Sequence, residues 1–124
     1  MADGAAQENT AHTGGLLLAG GRSHRFGAEK AVARFGQTLM MDAVAERFEG
    51  FPFFAVSAKP GSAAAQRATL MHADVVYDDP ALPSGPLAGV FAGLAWAQAN
   101  ALEFLATAPC DAPLLPRDLF ERLL

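Results

Sequence analysis

Arg22, Arg25, Lys30 and Arg34 fall within thirteen positions of a chain that has nine lysines and arginines among 124 residues. They follow the apolar run Leu16–Leu18 and the triplet Ala19-Gly20-Gly21, and Glu29 alone opposes them locally. An apolar run that ends in glycines reads as a buried strand leading into a loop. Glycine lets peptide N–H groups approach an anion closely, and neighbouring guanidinium and ammonium groups can complete the cradle. Phosphate binding is the chemistry such a loop suits. Two common phosphate motifs do not fit. Gly27 is followed by Ala28 with no Gly-Lys-Ser/Thr, and no G-x-G-x-x-G can be read. The spacing alone suits a tight turn with a solvated charged face equally well.

The carboxylates form a second group. Asp111 follows an apolar run and stands between Pro109 and Pro113, residues that stiffen a loop. A carboxylate at a strand end suits Mg²⁺, which takes oxygen ligands from protein and substrate phosphates. Capping the helix expected from Pro116 is the plainer role, but five positions is too far for an N-cap. Asp78 and Asp79 are either a ribose- or metal-facing pair or a solvated turn before Pro80. Gly85, Gly89 and Gly93 recur every four residues and so share one helical face. Tight packing suits Gly93, whereas Gly85 and Gly89, at the helix start, would leave room for a base. His24 and His72 have no partners at metal or acid–base spacing, and His12 falls in the leading segment. Cys110 lacks an evident base, and Trp96 and Met40-Met41 read as core or partner surface.

Holding these residues requires alternating strands and helices. Strands are expected at Leu16–Leu18, Phe51–Ala58, Asp74–Asp79 and Glu103–Ala108, and helices at Thr38–Phe48, Gly61–Leu70, Leu87–Asn100 and Pro116–Leu124. In the first helix Leu39, Ala43, Val44, Arg47 and Phe48 lie near one stripe, and Gly50 stops it. The alternation predicts an α/β fold with a largely parallel sheet. Residues 1–13 read as a disordered lead-in without signal-peptide character, and 14–124 as one α/β domain that breaks off abruptly, as a truncated one would. With 52% hydrophobic and 18% charged residues the chain is globular, and net charge −4 argues against general nucleic-acid binding. Prolines and glycines interrupt the longest uncharged run, Pro80–Asn100, so no membrane span is expected. A single cysteine excludes an intrachain disulfide and fits a cytoplasmic location.

"LAGGRSHRFGAEKA" resembles the L-A-G-G-x-S-x-R-x-G-x-x-K motif of the molybdenum cofactor guanylyltransferases, with Phe26 where methionine is usual. "DDPALPSGPLAGVFAGL" resembles their acidic turn followed by G-P-L-A-G, and "ATAPCDAPLLP" their C-D-x-P segment. Three motifs in order, spanning about Gly15 to Leu124, make the resemblance specific. It implies a three-layer, Rossmann-like nucleotidyltransferase fold with a 3-2-1-4 strand order that brings the Gly20 loop beside Asp111. It implies a nucleotide site formed by Leu18, Ala19, Gly20, Gly21, Lys30, Ser57, Asp79, Gly85, Gly89 and Asp111. Asp79 fits the nucleotide-binding aspartate better than Asp78, within a register of one residue.

The implied reaction transfers GMP from GTP to the phosphate of molybdenum-molybdopterin, releasing pyrophosphate. Arg25, Lys30 and Asp111 would be catalytic, with Mg²⁺ on Asp111 and the triphosphate held by backbone N–H groups of Ala19–Gly21, Arg25 and Lys30. Partners would be GTP, the molybdenum-molybdopterin acceptor and other proteins that make or use the cofactor. Two alternatives stay open: a cytidylyltransferase or other sugar-type nucleotidyltransferase, though such relatives tend to carry L-A-A-G, and a non-catalytic nucleotide-binding fragment.

Overall fold

The computed structural model describes residues 11–19, 30–83, 85–112 and 114–123. Four strands form one sheet: β1 (Thr13–Leu18), β4 (Phe54–Ser57), β5 (Asp74–Val76) and β6 (Phe104–Pro109). Their order is β5-β4-β1-β6, and every pairing is parallel. This is the 3-2-1-4 order implied by the resemblance. A small antiparallel hairpin, β2 (Arg34–Phe35) with β3 (Thr38–Leu39), stands apart. The helices are α1 (Met40–Ala45), α2 (Ala63–Leu70), α3 (Pro86–Ala99) and α4 (Leu119–Leu123), with 3₁₀ turns at Lys30–Val32 and Glu46–Phe48.

Side-chain alternation along β1 sorts the layers. A Cβ on Gly14 would meet Trp96 of α3, and Leu16 packs on Gly93 of the same helix. In the opposite direction a Cβ on Gly15 would meet the Phe48 ring at 2.5 Å, and Leu17 joins the core of Met41, Val44, Phe48, Val56 and Phe120. Thus α3 covers one face, while α1, the Phe48 turn, α2 and α4 cover the other. Phe48 is the hub of the second face, with ring centroids 5.5 Å from Phe51, 5.0 Å from Phe54 and 4.7 Å from Phe120. Asp42 of α1 and Arg67 of α2 close this layer with a two-pronged ion pair. That carboxylate, through its hydrogen bonds and then its charge, raises the Arg67 pKa.

Several boundaries differ from expectation. Strand β1 begins at Thr13 rather than Leu16, because Gly14 and Gly15 lie in the sheet where neighbouring rings leave no room for a side chain. The strand therefore includes the last residue of the expected lead-in, while residues 1–10 lie outside the described set. The helix expected over Thr38–Phe48 is divided. Gly36, at φ +63°, turns a hairpin whose second strand takes Thr38 and Leu39, and the helix relaxes to 3₁₀ geometry after Ala45. Strand β4 is shortened to Phe54–Ser57, past Gly50 at φ +89° and Pro52, which has no N–H for a ladder. Helix α2 starts behind Ser62, whose Oγ accepts from the Ala65 N–H at 3.1 Å.

Helix α3 has no charged residue, and its outward Leu87, Phe91 and Leu94 are exposed. Among the described residues no helix is long and apolar enough to cross a membrane.

Candidate functional site

Parallel pairing puts all four strand ends on one rim of the sheet. The register sets Leu18 opposite both Ser57 and Pro109. Two further bonds extend it: the Ala19 N–H donates to the Ser57 carbonyl at 2.8 Å, and the Cys110 N–H to the Leu18 carbonyl at 3.0 Å. Asp111 therefore leaves the sheet directly beside the chain that enters the glycine loop. In an open parallel sheet this is the favoured place for a ligand, where strand connections reverse direction. Here the reversal follows β5, from which the chain returns through α3 to β6 on the far side of β1.

The two neighbouring aspartates have different surroundings. Asp79 is exposed and folds back on its own loop, its Oδ1 accepting from the Ala81 N–H at 2.9 Å. Asp78 is half-buried and faces the rim, where the Ser57 hydroxyl donates to its Oδ1 at 3.4 Å. Ser57 itself is buried, so Asp78 contacts the end of β4, whereas Asp79, the member the resemblance favours, stays on its exposed turn.

Gly85 precedes α3 at φ +144°, a conformation L side chains rarely adopt, and a Cβ there would meet nothing within 4 Å. Gly89 is different. A Cβ on it would lie 2.6 Å from Ser57 Oγ and 3.0 Å from Leu18 Cδ2, so the absent side chain lets α3 sit on the strand tips. The space at Gly89 is filled by Ser57 and Leu18 rather than left open for a base. Gly93 does pack tightly, with a would-be Cβ 2.4 Å from Leu16.

Ala19 uses its N–H on the sheet, so phosphate donors from this loop would start one residue later. Gly20, Gly21 and Arg25 lie outside the described residues, as does the Lys30 side chain, while the Lys30 backbone opens the first 3₁₀ turn. Arg34, grouped with them by spacing, sits in the hairpin with its guanidinium 3.5 Å from the Gln37 carbonyl.

Asp111 is exposed, and its carboxylate accepts no hydrogen bond among the described residues. Nor, among the described residues, do three His, Cys, Asp or Glu side chains group as metal ligands. A lone hard-oxygen donor fits Mg²⁺ or a similar cation that completes its shell with phosphate and water. Trp96, expected as core or partner surface, lies over Gly14 and donates from Nε1 to Asp74 Oδ2 at 2.9 Å. Sequence reasoning attached no function to Arg47. The available signal was an arginine on the apolar stripe of a helix.

The parallel sheet, its order and its rim of loops define a Rossmann-like α/β fold of the nucleotidyltransferase kind. The chain belongs to the MobA-like NTP transferase domain family, which it matches over residues 15–124. A molybdenum cofactor guanylyltransferase of Cereibacter sphaeroides is 41% identical over 111 residues, covering 88% of this chain and 55% of that protein. One from Acidiphilium cryptum is 36% identical over 120 residues, covering 95% and 60%. The chain thus spans little more than half the length of these curated relatives. Among solved structures, Rv0371c of Mycobacterium tuberculosis H37Rv shares the fold, with a TM-score of 0.64 at 20% identity over 91% of this chain and 59% of that one. A second structure of Rv0371c is a complex with manganese.

Proposed function

We propose that the chain provides the nucleotide-binding part of a molybdenum cofactor guanylyltransferase, taking GTP as donor and molybdenum-molybdopterin as acceptor. The observation that carries this reading is the convergence of Leu18, Ser57, Asp78 and Asp111 on the rim where the glycine loop begins, in a chain of this family. In the reaction an acceptor phosphate oxygen bonds to the α-phosphorus of GTP. The bond from that phosphorus to the bridging oxygen breaks, and its electron pair leaves with pyrophosphate. No covalent work by the protein is needed, so catalysis rests on alignment and charge neutralisation.

Each residue has a role in that scheme. Gly20 and Gly21 present backbone donors to the phosphates, and Arg25 and Lys30 balance their charge. Asp78, steadied by Ser57, accepts from donors on the nucleoside. Asp111 would hold a divalent cation, which would offset charge on the phosphates. In Lys30→Ala, GTP should bind about 10- to 100-fold more weakly with the fold intact, the loss of about 1.5–3 kcal/mol typical of a hydrogen bond to a charged group. Calorimetry that gives an unchanged GTP affinity removes Lys30 from the site.

GTP should also bind more tightly than CTP, and Gly21→Ala should erode the difference, since a methyl group there crowds whatever rests on the loop. Parallel titrations with the two nucleotides decide the matter. Equal or tighter CTP binding transfers the reading to the cytidylyltransferase alternative.

A further inference from the structure

We infer that Arg47 is a positioning residue for the Asp111 carboxylate, an inference that rests on the reading of Asp111 as the ligand of a nucleotide-bound cation. Asp111 lies on the loop that joins β6 to α4. At its near end this loop is pinned by the Cys110 N–H on the Leu18 carbonyl at 3.0 Å. Four residues beyond Asp111 the pin is Arg47, whose Nε donates to the Leu115 carbonyl at 2.9 Å, across 68 positions of sequence. Asp111 thus lies between two backbone anchors, Cys110 on the sheet and Leu115 on the helical layer.

Arginine suits this task for a geometric reason. Its planar fork aims donors in two directions at once. While Nε holds Leu115, Nη1 donates to the Ala43 carbonyl of α1 at 2.9 Å, locking the guanidinium to its own helix. The side chain is only 8% exposed, so water competes little for either bond. Glu46 lies 3.6 Å from Nη1 and also 3.6 Å from Arg117, in the turn before α4. Arg117 is 83% exposed, so its ion pair is screened and contributes little to the clamp. A lysine at position 47 would keep the charge but could not serve two diverging carbonyls.

The test measures GTP affinity with and without Mg²⁺ in the wild-type chain, Arg47→Lys, Arg117→Ala and Asp111→Asn, each checked for folding by circular dichroism. Arg47→Lys should lower the factor by which Mg²⁺ strengthens GTP binding by about threefold, a smaller loss than in Asp111→Asn, leaving metal-free GTP binding within about twofold. Arg117→Ala should change neither. A second measurement needs no variant at position 47. Because linkage is reciprocal, Mg²⁺ and GTP together should slow hydrogen exchange at the Arg47 Nε–H, and Asp111→Asn should abolish the slowing. A folded Arg47→Lys protein with undiminished coupling, or an Nε–H indifferent to Mg²⁺ plus GTP, overturns the inference. If instead the wild type shows no coupling, or Asp111→Asn retains it, the metal-ligand reading of Asp111 has failed and the Arg47 inference falls with it.

Discussion

Asp111→Asn should abolish most of the cooperation between Mg²⁺ and GTP while leaving metal-free GTP binding intact or slightly stronger. Amide replaces carboxylate with almost no change of shape, so the loop and its two anchors persist. What is lost is the charge. Mg²⁺ gives up its waters reluctantly, and one protein carboxylate holds it poorly until phosphate oxygens join the shell. In the wild type each ligand should therefore raise the affinity of the other by the same factor, of the order of tenfold or more. In the variant that factor should fall to about twofold or less. Without metal the sign reverses, because a carboxylate beside a triphosphate repels it, though only weakly where solvent screens an exposed side chain. Titration of GTP with and without Mg²⁺ on both proteins reads the two effects separately. Coupling that survives in a folded Asp111→Asn protein transfers the ligand role to Asp78 or Asp79. In a chain of the relatives' full length, the same change should suppress pyrophosphate release far more than GTP binding.

Elements whose signal is local were legible before any coordinates. The strands ending at Leu18, Ser57 and Pro109 and the uncharged helix over Pro86–Ala99 appear close to where composition and periodicity put them, although β6 is mostly exposed or half-buried. The order of the strands is non-local, and it came from the resemblance rather than from pattern. The β2–β3 hairpin was hidden because Phe35-Gly36-Gln37-Thr38 has few apolar residues to alternate, and the adjoining helical stripe extended across Thr38. At the site, spacing could present Asp78 and Asp79 only as a pair. What separates their surroundings, the Ser57 hydroxyl beside Asp78 and the Asp79 turn to Ala81, is invisible in one dimension. Gly89 was legible as a close-approach residue, but not as one whose space is taken by Ser57 and Leu18. Arg47 illustrates the same limit, since the carbonyl it clamps is remote in sequence and its own position reads as part of an apolar face.

Stability should depend most on a residue that touches neither nucleotide nor metal. Phe48→Ala should destabilise the fold by about 3–5 kcal/mol, a large share of the roughly 5–15 kcal/mol available to a domain of this kind. The ring is 3% exposed and contacts Phe51, Phe54 and Phe120, so its removal leaves a cavity lined by those three rings. Gly15 supplies an internal check. A methyl group there would press on the Phe48 ring at 2.5 Å, so Gly15→Ala alone should cost about 1–3 kcal/mol through overpacking. In the Phe48→Ala background the same methyl group enters the vacated space, and its effect should become neutral or stabilising. Denaturant melts of the two single variants and the double variant measure the coupling, expected at about 1–3 kcal/mol in the compensating direction. If Gly15→Ala costs the same in both backgrounds, the strand glycine is required for its backbone alone. The close fit of Phe48 against β1 would then contribute nothing to holding the rim in register.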